Sequence, residues 1–336
     1  MAEGTNVDVL QPGQSGGTAA TGPVAQRLLS SGMSVQSLRT NDVLRKEEWL
    51  AFDQAVVEVA RKRLVATGEI MNRGLTYPIQ NALGTTQLQW ERMGDLDSAD
   101  LSMAGVTDSD RDRLTFELQS LPLPIIHKDF NINIRALEAS RSLGQPLDTA
   151  QAQLAGRIVS EKIEELLFLG SNISVLGSNI PGLTTESNRH TGNTRTNWDT
   201  DTTDTAGQDK VNDVIDMIDA AAADNMFGPF VLFVTQTSYN RLADDYKPDS
   251  DKTQLQRLQE IPGVESVLPS KDLAAGNVLL VQMTQDVIDE VDGLQPTTVQ
   301  WATEGGMTVN FKVMAIMVPR VRSTKTGQSG VVHYTP

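Results

Sequence analysis

The chain contains no cysteine among its 336 residues. Disulfides, thiolate nucleophiles and cysteine-ligated zinc are therefore excluded. Histidine is scarce as well. His127, His190 and His333 stand alone, without the H-E-x-x-H spacing that puts two imidazoles on one helix face. Basic charge is also short: 28 Lys and Arg face 43 Asp and Glu, for a formal net charge of -15. The longest basic cluster is Arg61-Lys62-Arg63, whereas a free-standing nucleic-acid binder shows a basic face. No apolar run approaches the roughly 18–20 residues that span a bilayer. The opening MAEGTNVDVL has neither the basic nor the apolar region of a secretory signal, so none is expected there.

Motifs of chemistry are missing too. There is no G-x-x-x-x-G-K-[ST] to cradle a phosphate and no G-x-G-x-x-G. Asp108, Asp110 and Asp112 imitate the start of a calcium loop. Arg113 then replaces the required Gly, and Gln119 replaces the bidentate Glu. Asp199, Asp201 and Asp204 lie in a polar run and are expected to be solvated. Glu161, Glu164 and Glu165, with Lys162 among them, are expected to form the solvent face of a helix. His127 is expected to be structural and His190 solvated. No catalytic residue, cofactor or metal ligand is assigned, and an enzyme acting through these carboxylates is the weakest of the functional classes considered.

What is present is architectural. Residues 1–44 are rich in Gly, Ser, Thr and Ala and cannot bury enough apolar surface to offset ordering entropy, so they form an arm outside the fold. Residues 45–66 carry Trp49, Phe52, Val56, Val59, Ala60 and Leu64 at helical spacing, with Trp49 and Phe52 expected in the core. Tyr77–Ile79 and Gln87–Met93 suit strands. Leu114, Phe116 and Leu118 alternate with polar residues at strand period. Between them lies a polar, acidic stretch, residues 94–112. The pattern is a long hairpin with an irregular tip, and such a hairpin needs a surface to lie against. Asp148 is the expected cap of a long helix over 148–169, with Ile158, Leu166 and Leu167 on its packing face and Gly170 as its stop. Residues 171–205 look like a long polar loop. The segment 206–296 alternates helices with short apolar strands, chief among them Phe230–Thr235, and implies a compact α/β lobe. A closing hairpin over 297–319 turns at Glu304-Gly305-Gly306, and 321–336 looks like a polar tail.

This series of elements resembles the encapsulin-related branch of the HK97-like shell proteins, a group that includes tailed-phage major capsid proteins. The segments that carry the resemblance follow one another in order. They are EEWLAFDQAVVEVARKRL, the LPLP at 121–124, IRALEASRSLGQPLD, the EELLFLG at 164–170 and NIPGLTT at 179–185. GPFVLFVTQTSYNRL at 228–242, IPGVESVLPSKDL at 261–273 and the strands near 297–318 complete the series.

The resemblance implies an α+β HK97-like capsid fold. Its parts would be an N-terminal arm (1–44), a lead-in helix (45–75) and an E-loop hairpin (76–124). A peripheral domain would combine 125–205 with 297–320 around the spine helix, an axial domain would span 206–296, and a tail 321–336. It further implies a self-assembling icosahedral shell of pentamers and hexamers with no enzymatic function. The shell of a virus would be built in the host cytoplasm with scaffolding, decoration and portal proteins. It would enclose double-stranded DNA without sequence-specific binding and without a membrane. The alternative is an encapsulin-like nanocompartment around a cargo enzyme. Trp90, Phe116 and Leu118 are the expected contacts of the hairpin with a neighbouring subunit.

Overall fold

A computed structural model describes residues 54–60, 64–93, 103, 116–135, 138–139, 149–248 and 250–336. The arm, Trp49, Phe52, Leu114, the cap Asp148, the acidic Asp108–Asp112 run and nearly all of the hairpin tip lie outside the described residues. In chain order the elements are α1 (Ala66–Asn72), β1 (Thr76–Pro78), β2 (Gln87–Met93), β3 (Phe116–Pro122), β4 (Ile126–Asn133), α2 (Ala150–Leu169), β5 (Ser171–Val175), β6 (Ser178–Ile180) and β7 (His190–Asn193). There follow α3 (Ala206–Ala223), β8 (Phe230–Thr235), α4 (Gln236–Arg241), α5 (Gln254–Gln259), β9 (Val264–Ser270), β10 (Val278–Gln282), β11 (Ile288–Thr303), β12 (Thr308–Val321) and β13 (Val331–Thr335).

Two sheets organise these elements. A five-stranded sheet has the order β7-β13-β10-β8-β9. Its β8 is buried at every position, with five apolar residues before Thr235, because both faces are covered, as in other doubly buried strands. Phe230, Leu232 and Val234 enter one cluster with Val214 and Met217 of α3. Val231 and Phe233 enter another with Ile70, Leu167 and Phe168. A four-stranded sheet has the order β1-β11-β12-β4. Val309, Phe311, Val313 and Ala315 of β12 meet Ala152, Ala155, Val159 and Ile163 of α2. On the other face Met314, Ile316 and Val318 meet Leu121 and Leu123.

The helix α2 is built from good helix formers and spans about 30 Å for its 20 residues. Thr149 is its N-cap, one position after the expected Asp148. Gly170, at φ 68, ends it and returns its N–H to the Leu166 carbonyl. A side chain at Gly170 would strike the backbone of Ile180 and Gly182, so the turn requires glycine twice over. The buried stripe includes Ala152, Ala155, Val159, Ile163, Leu166 and Leu167. Ile158 lies one position off that stripe and is 37% exposed, which corrects its expected place on the packing face. Leu154 is exposed for the same reason.

Other expectations are corrected as well. The loop over 171–205 contains β5, β6 and β7, and β7 pairs in parallel with β13. The supposed polar tail is an interior strand: Val331 and Val332 are fully buried between β7 and β10. Neither segment shows a long local pattern, because distant residues supply its hydrogen bonds. The closing hairpin starts at Ile288 rather than near 297. Pro296 hides the continuity, and β11 passes it through register shifts between Asp292, Leu294 and Thr297. β1 pairs in parallel with β11 in the four-stranded sheet and is no part of the β2–β3 hairpin.

Candidate assembly surface

The β2–β3 hairpin sets Trp90 opposite Gln119, Glu91 opposite Leu118 and Met93 opposite Phe116. Residues facing each other across an antiparallel pair share a side of the ribbon, and the side alternates along each strand. The register therefore separates the three expected contact residues. Trp90 shares a side with Leu88, Arg92 and Leu121. Phe116 and Leu118 share the opposite side with Glu91 and Ser120.

The Trp90 side is fastened to its own chain. Leu121 is buried, and Leu88 and Trp90 pack at the edge of the cluster formed by β12. The Arg320 guanidinium lies 4.5 Å from the Tyr77 ring centre and 5.4 Å from that of Trp90, a cation between two aromatic faces. Asp289 holds that guanidinium in place, accepting from Arg320 Nε at 2.8 Å and from Arg322 at 2.8 Å. Arg92 donates to Glu117 at 2.8 Å across the ribbon and to Ser323 Oγ at 3.0 Å. The hydrogen bond and charge of Arg92 hold the Glu117 carboxyl below its ordinary range. Trp90, partly buried, thus helps anchor the hairpin within its own chain.

The opposite side is open. Phe116 is 58% exposed and Leu118 is 62% exposed. At the base of the hairpin Ser120 Oγ is hydrogen-bonded to Ser178 Oγ of β6. The hairpin is a ribbon with one side packed on its own chain and the other, beyond the Ser120 contact, exposing Phe116 and Leu118.

Several carboxylates and imidazoles elsewhere have structural partners. Asp199 accepts from Ser238 Oγ at 2.6 Å, from the Gly276 N–H at 2.6 Å and from Thr235. Burial alone would raise its pKa, but the hydrogen bonds from Ser238, Thr235 and Gly276 outweigh it and hold the carboxyl low. His190 is hydrogen-bonded to Asp224 at 2.7 Å rather than solvated. His333 is buried on β13 beside Asn277, and burial followed by the Arg189 charge lowers its pKa. His127 is half exposed on β4.

Glu164 is not on the solvent face. It is buried and accepts from the Ala66 N–H at 2.6 Å and the Thr67 N–H at 3.2 Å, capping α1, whose own N-cap residue Val65 cannot. Burial raises its pKa despite those bonds. Glu290, on β11, is fully buried, and neither carboxyl oxygen has a hydrogen-bond partner. Burial, reinforced by the charges of Glu164, Asp292 and Asp289, raises its pKa well above the ordinary range.

Among the described residues no group of three or more His, Cys, Asp or Glu is placed to hold a metal ion, and no helix is long and apolar enough to cross a membrane. A recess of about 300 Å³ between β4 and α2 is lined by Ile126, Ile158 and Val159 and rimmed by Glu161, Lys271 and Asp272. At its rim Lys271 lies 3.6 Å from Glu161.

Sequence reasoning missed Trp198, which is fully buried and donates its indole N–H to Asp213 at 2.9 Å. Asp213, itself buried, also binds the Arg195 guanidinium at 2.9 Å. The one available signal was a large aromatic inside an otherwise polar run, with an acid on the buried face of the next helix.

The chain belongs to the family of unknown function DUF6260, whose profile matches residues 39–334. It is 29% identical over 133 residues to the type 1 encapsulin shell protein EncA of Myxococcus xanthus, a stretch covering 38% of this chain and 42% of that protein. The match thus spans under half the length of that relative. Among solved structures it is similar to a virus-like particle from Pyrococcus furiosus, with a TM-score of 0.59, 17% identity, and coverage of 86% of this chain and 98% of that one. It is also similar to the capsid of Myoviridae phage XM1, at TM-score 0.57 and 13% identity over 75% of this chain and 86% of that one. The capsid of an empty GTA particle matches at TM-score 0.52 and 12% identity, over 89% of this chain and 93% of that one. The chain has the HK97-like α+β fold, and part of it is similar in sequence to an encapsulin shell protein.

Proposed function

We propose that this chain is the repeating subunit of a closed protein shell and that copies join through the open side of the β2–β3 hairpin. The observation that carries the reading is the pair Phe116 and Leu118, exposed on a ribbon whose other side is anchored. A neighbour covering them would gain on the order of 1.5–3 kcal/mol per side chain. That gain recurs in every copy of a symmetric assembly. In this reading 76–124 reaches over a neighbour, the four-stranded sheet with α2 forms the peripheral domain, and the five-stranded lobe meets other copies around five-fold and six-fold axes. The encapsulin and capsid relatives support it.

The shell is that of a tailed virus, assembled in the host cytoplasm around double-stranded DNA. The polar composition of segments 1–44 and 94–112 supports this choice, because sequence that is not needed for a compact core suits a lattice whose subunits occupy non-equivalent positions. A net charge of -15 suits a container that holds DNA without gripping it. Scaffolding, portal and decoration proteins are its expected partners. A second reading, a nanocompartment around a cellular enzyme, is favoured by the identity to EncA.

Electron microscopy of the purified recombinant chain tests the shell, and closed particles are expected. A chain that stays monomeric under all assembly conditions overturns the shell reading. Nuclease treatment of particles isolated from the native source tests the contents. Protected double-stranded DNA supports the viral reading, and a protein cargo without DNA supports the nanocompartment.

A further inference from the structure

The β5–β6 hairpin ends in a turn poorly suited to an isolated chain. Val175 pairs with Ser178, so Leu176 and Gly177 alone make the connection. Their φ values are 52 and 85, the double-positive pattern of a type I′ turn. Asn-Gly adopts that turn readily, whereas leucine in the left-handed region crowds its Cβ against the backbone. Leu176 is also 88% exposed, and Ile173 on the same hairpin is 52% exposed. Backbone sterics and solvent both select against leucine at this position.

The surroundings point to what would select for it. No charged residue occurs from Leu166 to Thr185, in a chain whose net charge is -15. Two acidic copies repel overall, and an uncharged hairpin is where they can touch without bringing carboxylates together. The hydrogen bond between Ser178 and Ser120 ties this hairpin to β3. Ser120 lies on the same side of the ribbon as Phe116 and Leu118. The apolar tip is therefore continuous with the open side of the larger hairpin.

We propose that Leu176 is an inter-subunit knob, carried by the β5–β6 turn into an apolar recess on a second copy of this chain. The proposal rests on the shell reading and adds to it a contact that the β2–β3 hairpin does not make.

Leu176→Asn tests it, because asparagine relieves the turn and removes the apolar group together. The dissociated subunit is expected to melt at an unchanged temperature or about 1–2 °C higher. The yield of closed particles is expected to fall about tenfold or more, the loss that corresponds to 1.4 kcal/mol. A local structural role for leucine gives the reverse, a less stable subunit that assembles normally. Because the chain lacks cysteine, Leu176→Cys introduces a single thiol. A maleimide should label it at least about tenfold faster in dissociated subunits than in particles, and failure of this mild variant to assemble also supports the contact. Wild-type yield from Leu176→Asn, or equal labelling in particles and subunits, overturns the proposal. Protection that needs an added foreign protein overturns it as well. Wild-type shells with indifferent Leu176 variants sink the knob alone, whereas a wild-type chain that forms no shell sinks both readings.

Discussion

In the five-stranded sheet, every residue of β8 and β10 is buried, and alternate side chains enter two separate clusters. In the β2–β3 hairpin, one side is locked by Leu121, Trp90 and the Arg320 cation, while the other exposes Phe116 and Leu118. Both regions contain antiparallel strand pairs, β8 with β10 and β2 with β3. They differ in whether the chain itself supplies a second layer. The sheet has α3 on one face and the α1–α2 corner on the other. The hairpin has a body along one side and, on the other, only the β5–β6 contact at its base. The first region can be completed by folding, and the second only by another molecule.

The sharpest way to break this contrast is to damage the self-sufficient region. Phe233→Ala empties a fully buried site packed edge-on against Phe168. It should cost about 3–5 kcal/mol in chemical denaturation of the dissociated subunit. A loss below about 1 kcal/mol would mean that the sheet is not the folding core.

The next effect concerns the acid buried in the body. Glu290 has a pKa raised in the fold, so its contribution is fully present below its ordinary pKa of about 4.3 and is lost as pH rises toward the folded value. Glu290→Leu removes that loss. At pH 8 the variant should exceed wild type by about 1–3 kcal/mol, and its stability should fall less between pH 5 and pH 8. Parallel pH profiles for the two proteins would mean that the Glu290 pKa is not raised in the fold.

The smallest effect is local. Thr253 caps α5 in a reciprocal capping box with Gln256. Thr253→Ala should cost about 1 kcal/mol in the subunit and leave particle yield unchanged. Loss of particles from this substitution would show that the division between folding and assembly regions is drawn in the wrong place.

Much of this division was legible in the sequence. The continuous apolar run Phe230–Thr235 announces a doubly buried strand, and Gln87–Met93 has the bounds expected of it. The long helix was found by its 3.6-residue period, though Ile158 was assigned to the wrong face because Leu154 and Ile158 form a second apolar line beside the small, truly buried Ala152 and Ala155. What stayed hidden depends on distant partners. β13 needs β10 and β7 to be a strand at all. Glu164 looks like a surface acid until α1 places two N–H groups against it. Trp90, Phe116 and Leu118 were identified as hairpin residues, but only the cross-strand register puts them on opposite sides.

The most direct test pairs two readouts on Phe116→Ser: thermal melting of the dissociated subunit, and sedimentation velocity under conditions where the wild-type chain assembles. The account predicts a melting temperature within about 1–2 °C of wild type, as for surface substitutions, together with loss of the fast-sedimenting particles. Wild-type particles from the variant, or a subunit that unfolds before it can assemble, would contradict it.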